Sequence, residues 1–153
     1  MSVLNAVLAP NRVAARLLSP LQSAFALAAR WYVSWQFLKS GYLKITSWDT
    51  TIYLFENEYQ TPVLSPHLAA VAGTFGELFF PGLLVLGFAS RIGAVGLFAV
   101  NAMAVISYTS FLLAEGHEAA LGQHILWGSI TAFLALYGPG KLSLDYWLNK
   151  TSI

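Results

Sequence analysis

The sequence predicts an all-α integral membrane protein, a four-helix bundle with short interfacial helices and both chain ends on the cytoplasmic side (N-in/C-in). Three observations predict it. Four apolar stretches, at about 21–40, 67–88, 92–113 and 120–138, each approach the ~20 residues that cross a ~30 Å hydrocarbon core. Charged residues are only 10% of the 153 and apolar residues 57%, with a mean hydropathy of +0.62. A water-soluble domain carries roughly 25% charge. Lys and Arg also divide unequally between the two sets of loops, with Arg12, Arg16, Arg91, Lys141 and Lys150 on one side and Lys39 and Lys44 on the other. The richer side is expected to be cytoplasmic.

The elements follow in order. No cleavage-site pattern comes after the first stretch, so it is expected to remain as a span rather than to act as a signal peptide. Beyond it, Trp48, Ile52, Phe55 and Tyr59 recur at helical spacing, with Asp49 placed to cap and Glu56 and Glu58 off that face. This predicts a short amphipathic helix lying at the interface. Ser65-Pro66 supplies an N-cap and a first-turn proline for the second span. Gly87 to Gly93 makes a tight connection around Arg91, and Glu115-Gly116-His117-Glu118 a polar turn before the fourth span. Gly138-Pro139-Gly140 stops that span, and Leu144, Trp147 and Leu148 beside Lys150 form a second interfacial segment. Residues 1–153 read as one domain, without an internal repeat.

Composition narrows the chemistry. A net charge of +1 gives no basis for nucleic-acid binding. The absence of cysteine removes disulfides, cysteine-ligated zinc and iron–sulfur clusters held by this chain. There is no dinucleotide fingerprint, P-loop or hydrolase elbow.

What remains are polar residues inside apolar stretches. Arg30 and Glu77 stand near the midpoints of the first and second spans, where an unpaired charge costs ~2.5–3.5 kcal/mol on insertion scales. Antiparallel neighbours place matched depths side by side, so an Arg30–Glu77 pair is expected, as a lock between helices or as a functional centre. Pro81 has no N–H for the carbonyl of residue 77 and should bend the second span there. Asn101 is placed to hydrogen-bond the pair. Gln36, Thr74, Tyr108 and His124 fall at similar depth nearer the outer face and would make a polar vestibule if they point inward. His67, His117 and His124 form the one candidate metal site, at the outer boundary, with no diagnostic spacing. Only His124 lies within a span, which disfavours bis-histidine haem ligation.

The succession Arg30, Lys39-Ser40-Gly41-Tyr42-Leu43-Lys44, Glu77, Gly82, Gly87 and Arg91 resembles the DoxX/DoxD-like family of small bacterial membrane proteins. Ser47-Trp48-Asp49, Leu54-Phe55-Glu56, Asn101 to Tyr108 and Gly138-Pro139-Gly140-Lys141-Leu142 resemble its HvfX-type branch, associated with maturation of ribosomally made copper-binding peptides. The resemblance implies a four-helix protein of the bacterial inner membrane with Arg30, Lys44, Glu77 and Arg91 at recurrent polar positions. It implies an accessory role in copper-peptide maturation or copper and redox stress, with peptide-maturation or redox proteins as partners and homodimerisation open. Two alternatives stand beside that role. One is a quinone-linked oxidoreductase subunit, in which Arg30 and Glu77 would position quinone and relay protons. The other is a proton-coupled small-solute carrier, which the short chain disfavours. Quinone and copper are thus the ligands in question, neither with a binding motif of its own in the chain.

Overall fold

The computed structural model describes residues 3–151. Residues 1–2 and 152–153, which include the chain ends expected in the cytoplasm, lie outside the described residues. Seven helices and no strand occur among the described residues: α1 (Val3–Thr46), α2 (Trp48–Asn57), α3 (Pro66–Leu86), α4 (Ser90–Ser107), α5 (Thr109–Leu112), α6 (Glu118–Tyr137) and α7 (Leu144–Thr151). α3, α4 and α6 are each long and apolar enough to cross a bilayer.

The first predicted span is corrected most. In place of a helix over 21–40, α1 runs for 44 residues, ~66 Å at 1.5 Å per residue. Pro10 and Pro20 lie inside it without ending it. Pro20 cannot donate to the Arg16 carbonyl, and the Ser19 hydroxyl donates to that oxygen at 3.3 Å. The third stretch is shorter than expected, because α4 stops at Ser107 and α5 follows after Tyr108. Other donors take its last carbonyls: Thr109 Oγ1 reaches those of Val105 and Ile106 at 2.8 Å, and the Gln60 N–H reaches that of Ser107 at 2.8 Å.

The remaining boundaries follow local chemistry. Pro66 opens α3 behind Ser65, although the Ser65 hydroxyl makes no capping bond. Gly87 closes α3 at φ +68°, with its N–H on the Leu84 carbonyl and that of Phe88 on Leu83, the paired bonds of a left-handed helix stop. α2 forms where the aromatic spacing predicts, with Ser47 at its N-cap and Asp49 in the first turn instead of at the cap.

Packing closes a ring in which α1 lies against α3, α3 against α4, α4 against α6, and α6 against α1. Ala26, Ala29, Val33 and Phe37 of α1 meet Leu84, Ala94, Leu97 and Leu134 in the main core. A smaller core joins Phe55 of α2 to Ala69 and Ala70 of α3. Outward, large apolar side chains such as Phe75, Ile92, Val95, Ile125 and Leu136 are exposed on every long helix. An apolar surface this continuous suits acyl chains and not water.

Glycine lets α3 and α4 approach closely. A Cβ on Gly96 would enter the Phe80 ring, and one on Gly76 would stand 2.6 Å from Val100 Cγ2. Gly122 of α6 faces open space, with nothing within 4 Å of such a Cβ. Gly96→Val should therefore lower thermal stability in detergent by about 1–3 kcal/mol, the usual cost of overpacking. Gly122→Ala should leave it unchanged or raise it by up to ~1 kcal/mol through helix propensity. Parallel melting curves of the two variants check both signs.

Candidate functional site

Glu77 sits near the middle of α3, and the cation that meets it is Lys44. The ammonium donates to Glu77 Oε2 at 2.7 Å, to Oε1 at 2.8 Å and to the Ser40 hydroxyl at 2.8 Å. All three ammonium hydrogens are thereby used. Gly41 makes this approach feasible, because a Cβ there would stand 3.1 Å from Glu77 Cβ and 2.8 Å from Leu78 Cγ.

The expected Arg30–Glu77 contact does not form. From Arg30 to Gly41, and from Glu77 to Gly87, the antiparallel helices cover similar lengths of ~15–16 Å. Arg30 thus stands beside Gly87, at the α7 end of the bundle. Its side chain is 1% exposed and Nη2 donates to the Leu142 carbonyl, while Nε and Nη1 have no protein partner. Arg30 lies near the midpoint of residues 21–40, but the helix does not end at residue 40. α1 continues to Thr46 and carries Lys44 to the level of Glu77.

Beside the ion pair, and reaching from Gln36 and Phe80 to Tyr59 and Tyr108 at the α2 end, lies a cavity of about 560 Å³. Its lining is mostly apolar, with Phe37, Phe80, Ala99, Val100 and Met103 among its walls. Glu77, Lys44, Ser40, Gln36, Tyr59, Ser107, Tyr108 and His124 bring polar atoms to it. Of the expected vestibule residues, Gln36, Tyr108 and His124 therefore line one space. Thr74 does not, being buried in the helix packing with its hydroxyl unpartnered. Phe55, Tyr59, Tyr108 and Phe111 form a chain of ring contacts with centroids 4.5–5.0 Å apart across the α2 end. Burial, then the neighbouring Tyr108, Glu77 and Glu58, pushes the Tyr59 phenol above its ordinary range, so it stays protonated and able to donate.

Asn101 serves a different partner from the one expected. Its Nδ2 donates to the His124 carbonyl at 2.9 Å, and its Oδ1 lies 2.9 Å from His124 Nδ1. Since an amide oxygen only accepts, Nδ1 carries the hydrogen, and in the neutral ring Nε2 is left as acceptor. This two-point clamp ties α4 to α6 at the cavity wall. Gly128 keeps the amide's space open, since a Cβ there would stand 3.2 Å from Nδ2.

The histidines do not form the expected metal site. His67 packs edge-on to Trp48, His117 lies against Phe111, and His124 meets Trp127 and Asn101. Among the described residues no three His, Cys, Asp or Glu side chains are grouped to hold a metal. Arg91 is at the α7 end, where Nη1 donates to the Ala135 carbonyl at 3.2 Å.

Sequence reading also missed Asp145. Its carboxylate accepts from the N–H groups of Ala89 at 2.7 Å and Ser90 at 2.8 Å, capping α4 from the tail. A signal existed: alanine at the N-cap position has no acceptor, so the first amides of α4 needed one from elsewhere.

A family model described as DoxX matches residues 25–110, more than half of the chain, and the chain belongs to the DoxX family. No curated protein and no solved structure matches it. The match takes in Lys44, Glu77 and Asn101, and ends before α6.

The geometry separates two pairs of substitutions. Lys44→Met and Glu77→Gln should each destabilise the protein in detergent, while the double variant should lose less than their sum, by ~0.5–3 kcal/mol of coupling. Arg30→Gln and Glu77→Gln should be additive within ~0.5 kcal/mol, since the residues are too far apart to share a contact. Thermal unfolding of the five variants reads both cycles.

Proposed function

We propose that this DoxX-family protein binds a lipid-soluble ligand of quinone type in the cavity lined by Lys44 and Glu77, as the membrane subunit of a redox system. The observation that carries the reading is the cavity itself: a space of about 560 Å³ with apolar walls, a few polar groups and an ion pair in its wall. That size and mixture are those of small-molecule sites. The polar groups also fit a ring bearing two carbonyl oxygens. Tyr59, Tyr108 and Gln36 can donate hydrogen bonds, and Trp127 adds a buried indole N–H without a protein partner. Ser40 accepts from Lys44 and keeps its own hydrogen to give.

When bound, a quinone supplies two-electron, two-proton chemistry, with electrons from a partner protein's redox centre. This chain's part is binding and proton handling. Reduction of the ring consumes two protons. His124 Nε2 and the Glu77 carboxylate are the groups that can take up a proton and pass it to the ring's oxygens, while Lys44 donates to both carboxylate oxygens and holds them in place. The apolar walls orient the ring and limit water.

The reading also takes α1 as a fourth crossing beside α3, α4 and α6, with the cavity opening to the outer side of a bacterial inner membrane. The support is the division of the Lys and Arg other than Arg30 and Lys44, with Arg12, Arg16, Arg91, Lys141 and Lys150 towards the α7 end and Lys39 towards α2, which favours a cytoplasmic α7 end. A role beside copper-binding peptides rests on the HvfX-like residues alone. None of the histidines is grouped to hold copper among the described residues.

Ala104 lines the cavity away from the ion pair, so Ala104→Phe fills the space and leaves Lys44 and Glu77 untouched. A short-chain benzoquinone titrated calorimetrically into nanodisc-held protein should bind saturably to the parent. Binding should fall at least about tenfold in Ala104→Phe, the loss expected when ~1.4 kcal/mol of contact is removed. Equal binding by both proteins would place the ligand elsewhere and overturn the proposal.

A further inference from the structure

About half of α1 lies beyond the bundle. From Val7 onward Ala26 is the first buried residue of the helix, and nearly every residue from Val7 to Gln22 is exposed. Leu17, Leu18, Leu21 and Phe25 are between 56% and 70% exposed. At ~66 Å, α1 is about twice as long as the hydrocarbon core is thick, so this arm cannot all lie within a bilayer crossed along its normal.

The arm is patterned. At 100° per residue, Arg12, Arg16, Ser19 and Ser23 fall within about 60° of arc. Val7, Val13, Leu17, Leu18, Leu21 and Phe25 fall within about 140° on the opposite side. That apolar arc continues in phase into the bundle, where Trp31, Tyr32 and Trp35 occupy the same side of α1 and face outward. The polar stripe continues towards the protein, where Ser23 Oγ accepts from the Lys141 N–H at 3.1 Å. One side of the helix therefore faces lipid along its length. When the arm turns outward where it leaves the bundle, that side comes to lie downward on the membrane. Pro20 marks the weak point in the hydrogen-bond ladder where α1 can turn.

We infer that residues 7–19 form an amphipathic arm lying on the membrane surface at the α7 end of the bundle, its apolar arc in the acyl boundary and Arg12 and Arg16 at anionic headgroups. The charges suit that partner. The arm holds two arginines and no acid, and Lys141, Lys150 and Arg91 belong to the same end of the molecule.

The chain has no native cysteine, so single cysteines at Leu17, Leu18, Ser19 and Leu21 can carry spin labels in the full-length protein. In nanodiscs containing phosphatidylglycerol, labels at 17, 18 and 21 should be open to oxygen and shielded from a nickel chelate, with the reverse at 19. Replacing both Arg12 and Arg16 by Gln should weaken surface association roughly thirtyfold in anionic nanodiscs and leave it unchanged in phosphatidylcholine alone. Equal nickel access at all four sites would overturn the inference. So would shielding with dipolar coupling between labels on separate chains, which would assign the face to a second copy. An unchanged pattern in the arginine variant would overturn the anionic-lipid assignment.

Discussion

A carboxylate halfway along an apolar helix has to be neutralised, protonated or hydrated, and in this protein Lys44 meets Glu77 with two hydrogen bonds. Much of the architecture is consistent with that requirement. Lys44 can reach Glu77 only if α1 continues past residue 40, and it continues to Thr46. The helices can come close enough only if the residue facing Glu77 lacks a side chain, and Gly41 stands there. Once Gly41 and Glu77 are opposed, the antiparallel register follows. Arg30 then lies beside Gly87, where the Leu142 carbonyl receives it, at the same end of the bundle as Asp145, which caps α4. The two ends of the bundle thus acquire different chemistry, a ligand-sized cavity near α2 and a tail-clamped arginine near α7.

Small residues and aromatic rings divide the remaining work. Gly76, Gly93 and Gly96 bring α3 and α4 together around Phe80, and this close contact lies between the cavity and the α7 end. Towards α2, Phe55, Tyr59 and Tyr108 meet by edge contacts. The cavity runs from the Phe80–Gly96 contact to these rings and gathers most of the polar groups on its walls. Asn101 and His124 keep that wall in place through a clamp that also fixes the histidine's tautomer.

Hydrophobic length and composition made the helical, membrane-embedded class legible before any coordinates, and turn chemistry at Ser65-Pro66, Gly87 and Gly138 located three helix ends. Residue counting grouped Gln36, Tyr108 and His124 at one depth, and all three line the cavity. Gln36, however, stands ~7.5 Å nearer the α7 end than Gly41 and Tyr108 stands at the α2 end, so the cavity's length and not a shared depth brings them together. The Arg30–Glu77 expectation used the same counting and failed, since it depended on where α1 begins and ends. Two prolines that ordinarily argue for breaks were absorbed within the helix. Lys44 falls in a loop only if the helix is ended at residue 40, and α1 continues six residues further to Thr46. Asp145 and Tyr59 were invisible as site residues because chain folding, and not local pattern, brings them to α4 and to the cavity.

The central claim is that Lys44, and not Arg30, is the cation of Glu77. Solid-state NMR dipolar recoupling between ¹⁵N and ¹³C in lipid bilayers measures this directly. With separations of 2.7–2.8 Å between the lysine nitrogen and both carboxylate oxygens, Glu77 Cδ should dephase strongly against a lysine Nζ, and Lys44→Met should abolish the effect. Dephasing against the Arg30 guanidinium, or a lysine signal that survives Lys44→Met, would contradict the account.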